Sequence, residues 1–342
     1  MNKNIIVTGG AGYIGSHTVV ELLTQGYSPI IVDNFSNSEK SVMGGLEEIT
    51  GKQVSLFEGD CTDKVFMTQV FSETNPVGVI HFAAYKAVGE SVDKPLVYYR
   101  NNVVSLLVLL EVMKEHNCHQ LVFSSSCTVY GTPKKLPVTE QSPTPKAISP
   151  YGNTKQIAED IIKDQVVANS GLSAVALRYF NPIGAHPTGL IGELPLGIPS
   201  NLIPFVTQTA AGLRKELTIF GDNYNTPDGT NIRDYIHVVD LAKAHVKTLD
   251  YLSGKKGFYD FINVGTGTGT SVLEIINTFE KVSGQKLNYT IGQRRAGDVE
   301  QIYASVDKSN QVLNWKTELT VEDALRDAWN WQTKLTAKSQ SC

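Results

Sequence analysis

The sequence predicts an α/β protein: a doubly wound parallel sheet followed by a smaller, loop-rich C-terminal domain. Three observations carry that expectation. Short apolar runs alternate with segments of helical length and period through the first half of the chain, a pattern that repeated strand–helix–strand units satisfy. The first run leads directly into a glycine-rich turn, Gly9-Gly10-Ala11-Gly12-Tyr13-Ile14-Gly15, that opens a helix. From about residue 181 the texture changes, as Pro182, Gly184, Pro187, Gly189, Gly192, Pro195, Gly197, Pro199 and Pro204 break the chain into loops.

Taken in order, the expected buried strands are Ile5–Thr8, Pro29–Val32, Val54–Phe57, Val77–Phe82, Leu121–Phe123 and Ala174–Leu177. They are largely continuous apolar runs, as strands covered on both faces require. After the loop-rich stretch, Asp240–Leu252 has a helical pattern and Phe258–Val264 reads as one more strand. Both are expected to return to the first sheet. The first domain is therefore drawn over residues 1–180 with a return of 235–264, and the second over 181–342. Val321–Trp331 has the spacing of a surface helix.

The bulk properties agree. A chain of 342 residues with 41% hydrophobic and 19% charged residues has the composition of a globular protein with a sizeable core. A formal net charge of −4 supplies no general attraction to nucleic acid or an anionic membrane, so neither is an expected partner. The start of the chain carries only a few apolar residues in a row, too few for a signal peptide, and no run approaches the ~18 needed for a membrane span. Cys61, Cys118, Cys127 and Cys342 have no regular spacing and no CxxC pairing. They read as free thiols in a reducing cytoplasm, and no metal site is expected.

The glycine turn has a specific physical use. Glycines at Gly9, Gly12 and Gly15 let the backbone turn tightly and approach a pyrophosphate, which then sits at the positive end of the helix. Glycine-rich turns are common, but here strand, glycines and helix come in the required order. Asp33 ends the next strand 18 residues after Gly15, placed to accept hydrogen bonds from ribose hydroxyls and to repel a 2′-phosphate. The Rossmann type of sheet and NAD, rather than NADP, follow. Asp60, at the end of the third strand, has two readings: a partner for the adenine amino group, or a helix cap before Thr62 and Asp63.

The catalytic chemistry is expected on Ser149-Pro150-Tyr151-Gly152-Asn153-Thr154-Lys155. Ser149 reads as a helix cap and Pro150 as a first-turn residue. Tyr151 and Lys155, four apart, share one helical face. A phenol titrates near 10, and a neighbouring ammonium together with a positive nicotinamide ring is expected to lower it toward the working range. A Tyr–Lys pair at this spacing is common by chance. Phe123-Ser124-Ser125-Ser126, at the end of the fifth strand, strengthens it, because ligands bind at the carboxyl ends of such strands. Ser126 can hydrogen-bond a sugar hydroxyl there, although a serine-rich strand exit is also ordinary.

At this point the residues resemble a known family, the extended short-chain dehydrogenases and, within them, the UDP-glucose/UDP-galactose 4-epimerases. The resemblance runs through Gly9–Gly15, Asp33-Asn34, His81–Ser91, Phe123–Gly131, the Tyr151/Lys155 pair, Leu177–Ala185, Arg233–Val238 and Arg294–Asp298. It implies that Tyr151 is the base, that Lys155 binds the nicotinamide ribose, and that Ser126 supports proton transfer. It further implies that Tyr13, Ile14, Asn34, Asp60, Cys61, Phe82, Ala83, Ala84, Lys86, Asn102 and Tyr179 contact the NAD cofactor, with Lys86 near the pyrophosphate. Asn181, Asn201, Leu202, Thr218, Phe220, Arg233, Arg295 and Asp298 would hold the UDP-sugar, with two arginines suited to a diphosphate. The implied reaction takes hydride from sugar C4 onto NAD, turns the 4-keto sugar about its link to UDP, and returns the hydride to the other face. The family pairs its helices across a two-fold axis, and the apolar surfaces on Val97–Glu115 (Val103, Leu106, Leu107, Leu109, Leu110) and Ile157–Val167 (Ile157, Ile161, Ile162) imply a homodimer.

Two departures matter. Cys127 follows Ser126 where the family has a small residue. Ile302, four residues after Asp298, stands where relatives alternate between bulky and small side chains, so some room for an N-acetylated sugar is expected beside it. The rival readings are a 4,6-dehydratase, a decarboxylase or dehydrogenase on the same scaffold, and a catalytically silent NAD-binding protein. A dehydratase needs an acidic pair after the active-site hydroxyl residue, and here Cys127-Thr128-Val129 follow. Silent relatives lose the Tyr or the Lys, and this chain has both.

Overall fold

The computed structural model describes residues 3–295 and 298–340; Cys342 and the Ala296-Gly297 pair inside the Arg294–Asp298 segment lie outside the described residues. The first half runs β1 (Asn4–Thr8), α1 (Tyr13–Thr24), β2 (Ser28–Asp33), α2 (Ser41–Thr50), β3 (Ser55–Glu58) and α3 (Lys64–Thr74). It continues through β4 (Gly78–His81), α4 (Val88–Asp93), α5 (Pro95–Glu115), β5 (Gln120–Ser124), α6 (Pro150–Ala168) and β6 (Ser173–Tyr179). The loop-rich part holds β7 (Asn181–Ile183), α7 (Leu202–Ala210), β8 (Leu217–Phe220), β9 (Ile232–Arg233), β10 (Tyr235–His237) and α8 (Val238–Leu252). Then follow β11 (Phe258–Val264), β12 (Thr270–Ser271), α9 (Val272–Ser283), β13 (Tyr289–Gly292), β14 (Gln301–Ile302), α10 (Asp307–Leu313) and α11 (Val321–Gln340).

Seven parallel strands form one sheet in the order β11-β6-β5-β4-β1-β2-β3. The order reverses between β1 and β4, and that switch point opens a crevice at the carboxyl ends of both strands. The strands are apolar on both faces because both are covered. Ile5, Val7, Ile31, Val122 and Val175 pack with Val19, Leu22, Leu241 and Leu249 of α1 and α8 on one side. Ile6, Val32, Val79 and Leu121 pack with Phe71, Leu106, Leu109 and Ile162 of α3, α5 and α6 on the other. Among the described residues α5 alone is long and apolar enough to cross a membrane by length and composition; it packs between α3 and α6.

The loop-rich half contains short pairings that hydrophobic periodicity does not announce: β10 with β7, β13 with β8, and β12 and β14 on either side of β9. The carboxylate of Asp234, fully buried, organises the last of these. It accepts from Thr266 N at 2.8 Å, Gly267 N at 3.1 Å and Ala304 N at 3.1 Å. The final helix is longer than its apolar spacing suggests, running on to Gln340.

Candidate active site

The crevice is floored by the turn after β1. Gly9 has a positive φ of 68°, and a Cβ there would come within 2.9 Å of Ala83 N, so the loop after β4 lies directly against the turn. Thr8 and His81, which end β1 and β4, are joined by a 2.7 Å hydrogen bond. Gly12 caps α1 without a side-chain hydrogen bond, which leaves the first-turn amides from Tyr13 onward to meet an anion. The arrangement fits a dinucleotide pyrophosphate.

Around that floor several expected cofactor residues have work within the chain. Asp33 accepts from Ala11 N at 3.0 Å, Phe35 N at 2.9 Å and Ser38 Oγ at 3.0 Å. A carboxylate has about four acceptor positions, so Asp33 both locks the glycine turn and retains limited capacity for ribose. Asp60 is not the helix cap: Asp63 is, accepting from Val65 N and Phe66 N. Asp60 instead turns the chain through Thr62 N at 2.8 Å and receives Asn34 Nδ2 at 3.3 Å. The Cys61 thiol beside it is buried and pushed up to about 12.

Asn102, expected beside the cofactor, is hydrogen-bonded within the chain. Its amide accepts from Tyr85 N at 2.9 Å and donates to Tyr85 O at 3.0 Å and Thr154 Oγ1 at 3.2 Å. The side chain thus braces the loop that carries Ala84 and Lys86 and has little left to offer a ligand. Lys86 stands 5.9 Å from the ring of Tyr13, the first residue of α1, and is paired with Glu193 at 2.8 Å. Glu193 also accepts from Asn201 Nδ2 at 2.6 Å, beside Leu202 at the start of α7. The acid at Glu193 was not foreseen; it sits in the proline- and glycine-rich stretch, where nothing in the spacing singles it out. Phe82 packs on His245 at 4.6 Å between ring centroids, with Tyr179 5.9 Å from the same imidazole.

The structure brings the three residues expected to act in catalysis together at the end of β5. Ser149 caps α6 by accepting from Gly152 N, and Pro150 follows in the first turn. Tyr151 and Lys155 are both buried, and the ammonium lies 5.8 Å from the Tyr151 ring centroid. Lys155 Nζ donates to Ser124 O at 2.6 Å, and the Ser126 side chain stands near enough to the Tyr151 phenol to favour its ionised form. The electrostatics of the chain alone do not activate the phenol. Within the chain alone burial dominates and pushes the Tyr151 phenol well above its ordinary value, with Ser126 opposing. Burial likewise lowers the Lys155 ammonium to about 7, with Glu159 pushing it back up. For Tyr151, the loss of water around the phenolate is the dominant cause.

The expected substrate residues fall into three groups. Asn181 lies on β7, paired with β10. Thr218 and Phe220 lie on β8, where the Arg295 guanidinium stands 5.5 Å from the Phe220 ring. Arg233 on β9 faces Ile302 in register on β14, and its Nη1 donates to Ile232 O at 2.9 Å. The second arginine expected at the diphosphate has a partner within the chain. Arg295 is bound to Asp298 through Nη2 at 2.8 Å and Nε at 3.2 Å, so the two offset one another's charge. Ile302 also departs from expectation: it is 4% exposed and packed in a cluster with Cys127, Phe180 and Ala304. Protein, rather than open cleft, meets most of its surface.

Three buried cysteines, Cys61, Cys118 and Cys127, are free. Of the apolar helix surfaces, Leu106, Leu109, Leu110 and Ile162 are core residues; Leu107, at 42% exposure, faces outward.

With this geometry in hand, comparison with known proteins is informative. Residues 6–328 match the family described as GDP-mannose 4,6 dehydratase. UDP-glucose 4-epimerase 2 of Arabidopsis thaliana is 51% identical over 334 residues, 97% of this chain and 95% of that protein. The UDP-glucose 4-epimerase of Bifidobacterium longum, solved in complex with NAD+ and UDP, is 52% identical with a TM-score of 0.94, covering 97% of this chain and 98% of that one. The enzyme of Stenotrophomonas maltophila, solved with NAD and formylated UDP-arabinopyranose, is 44% identical with a TM-score of 0.96, covering 98% and 100%.

Proposed function

The chain belongs to the extended short-chain dehydrogenases and, within them, to the UDP-glucose 4-epimerases, NAD-dependent isomerases, and from that premise we propose that this cleft interconverts UDP-glucose and UDP-galactose with Tyr151 as its base. The observation that carries the assignment of roles is the convergence of Tyr151, Ser126 and Lys155 at the end of β5, one strand from the switch point. Bound NAD supplies a place where a hydride from sugar C4 is taken up and given back. Tyr151 takes the proton of the 4-hydroxyl, with Ser126 bridging. Lys155, held on the Ser124 carbonyl, keeps positive charge beside the phenol and orients the nicotinamide ribose. Arg233, Asn181 and the Thr218–Phe220 strand grip UDP, so the 4-keto sugar is free to turn and receive the proton from Tyr151 on its other face. The dehydratase reading of the same family lacks its acid, because Cys127-Thr128 follow Ser126.

The hydride that leaves is the one that returns. UDP-galactose deuterated at C4 should therefore give UDP-glucose that keeps the label, with none entering C4 from heavy water. NMR of the product reads this directly, and label washed out into solvent would replace our mechanism with proton abstraction at carbon.

We propose also that the sugar pocket admits the N-acetylated pair, UDP-N-acetylglucosamine and UDP-N-acetylgalactosamine. Ile302 packs beside Cys127 in the wall next to Ser126, and it is shorter than an aromatic side chain. Ile302→Tyr should push a ring out of that wall, and intrusions into packed space cost about 1–3 kcal/mol. The variant is expected to lose most turnover of UDP-N-acetylglucosamine while sparing UDP-glucose, measured side by side; equal loss on both would remove Ile302 as the gate. The exposed Leu107 on α5 supports a homodimer across the α5 and α6 face, which sedimentation tests, and the buried free thiols suit a reducing cytoplasm.

A further inference from the structure

α6 presents Tyr151, Lys155 and Glu159 at successive four-residue steps, all nine-tenths buried or more. Opposite them, three consecutive serines run from Ser124, the last residue of β5, to Ser126 in the turn that follows, and they lie against the three in turn. Ser126 stands near the Tyr151 phenol, the Ser124 carbonyl receives Lys155 at 2.6 Å, and Ser125 Oγ donates to Glu159 Oε1 at 2.5 Å. The proposed mechanism uses the first two contacts and leaves the third without a role.

The third contact is the most firmly anchored. Arg178 on β6 donates Nε to Glu159 Oε1 at 2.9 Å and Nη2 to Glu159 Oε2. Its own guanidinium lies 4.0 Å from the Phe261 ring centroid and gives Nη1 to the Tyr130 hydroxyl at 3.1 Å. That hydroxyl passes on to Asn263 Oδ1 at 2.7 Å. A carboxylate held bidentate by a packed arginine is a rigid point, and a hydroxyl tied to it cannot drift. Ser124 is already held by its pairing with Leu177 and by the Tyr179 hydroxyl at 2.6 Å from its Oγ, and Ser126 caps the turn that follows by accepting from Thr128 N; the Ser125 side chain between them is tied to the helix through Glu159.

We propose that Glu159 is a positioning residue for the reaction: anchored by Arg178, it holds Ser125 and thereby fixes the β5 exit in the register at which Ser126 meets Tyr151 and the Ser124 carbonyl meets Lys155. This rests on the roles assigned above to Tyr151, Lys155 and Ser126. The carboxylate also supports the Lys155 charge along the helix face. The titratable and charged groups facing this line are Tyr151 on α6, His81 on β4, Arg178 and Tyr179 on β6, Tyr130 in the turn after β5, and Tyr259 on β11. None of these favours the ammonium; Glu159 does.

The test uses the full-length, cofactor-loaded enzyme. Ser125→Ala cuts the strand link and leaves the Glu159–Arg178 pair intact, so it should fold. It is expected to lower kcat by ~10- to ~100-fold, the scale of small misplacements of reacting groups, with KM for UDP-galactose within about twofold. Glu159→Gln should show the same kcat loss and, in addition, an alkaline limb of the pH–rate profile moved to lower pH, because Lys155 then loses its proton sooner. The double variant should be no worse than Glu159→Gln alone. Tyr130→Phe, which removes only the far arm of the network, should keep kcat. Wild-type kcat in Ser125→Ala, or an equal loss in Tyr130→Phe, overturns the positioning role while leaving the epimerase reading untouched. A wild-type chain that interconverts no UDP-hexose overturns both.

Discussion

Tyr151→Phe is expected to lower turnover of UDP-galactose at least ~100-fold, the usual minimum for a lost acid–base group, while NAD and UDP remain bound. The ring stays in place, so the packing around Tyr151 and the contact of the Lys155 ammonium with that ring, 5.8 Å to the centroid, are retained. Only the phenolic oxygen is removed. The buried phenol rests well above its ordinary titration range within the chain alone, so its activation has to come from charge brought close to it. Lys155 is the resident source, and burial has already drawn it down to about 7. The pair is thus poised: a proton held loosely by Lys155 beside one held tightly by Tyr151. A positive nicotinamide ring arriving over the crevice shifts that balance toward phenolate. Single-turnover measurements of cofactor reduction separate chemistry from binding, and near-normal turnover in the variant would remove Tyr151 from the role of base.

Much of the fold was legible because it obeys one period at a time. The β1, β2, β4, β5 and β6 runs are apolar throughout since helices cover both faces of the sheet, and such runs announce themselves. The proposed catalytic pair stood out because Tyr151 and Lys155 lie four apart on one helix, and Ser126 because it follows a strand end. The strands of two to four residues, such as β9 and β14, were not legible. Their register is set by Asp234, whose carboxylate collects amides from distant turns. A hub of that kind has no period. The same reasoning explains the revised roles. Asn102 matches the family's motif, yet the structure shows its amide spent on Tyr85 and Thr154. A residue can be required at a site because it shapes the loop that touches the ligand. Glu193, which meets both Lys86 and Asn201, was invisible for the converse reason: its partners are far apart in the chain.

The glycine turn carries the last and most severe expectation. A methyl group added at Gly15 would lie 2.2 Å from the Gly9 carbonyl oxygen and 2.8 Å from Gly10 Cα. Both are backbone atoms, so no side chain can swing aside to make room. The turn cannot yield locally either. Gly9 N is bonded to Val32 O at 2.8 Å, Ala11 N is held by Asp33 at 3.0 Å, and Gly9 is pressed against Ala83 on the other side. The remaining escape is for α1 to move outward, which breaks its packing on α8 and carries its first-turn amides away from the pyrophosphate. Gly15→Ala is therefore expected to be purified without cofactor and to lose epimerase activity almost entirely. The same substitution at Gly44, where a Cβ meets nothing within 4 Å, should leave both unchanged. Nucleotide released from each denatured protein and quantified by mass spectrometry makes the comparison. A Gly15→Ala protein that retains stoichiometric NAD would mean that the turn has slack that these contacts do not allow.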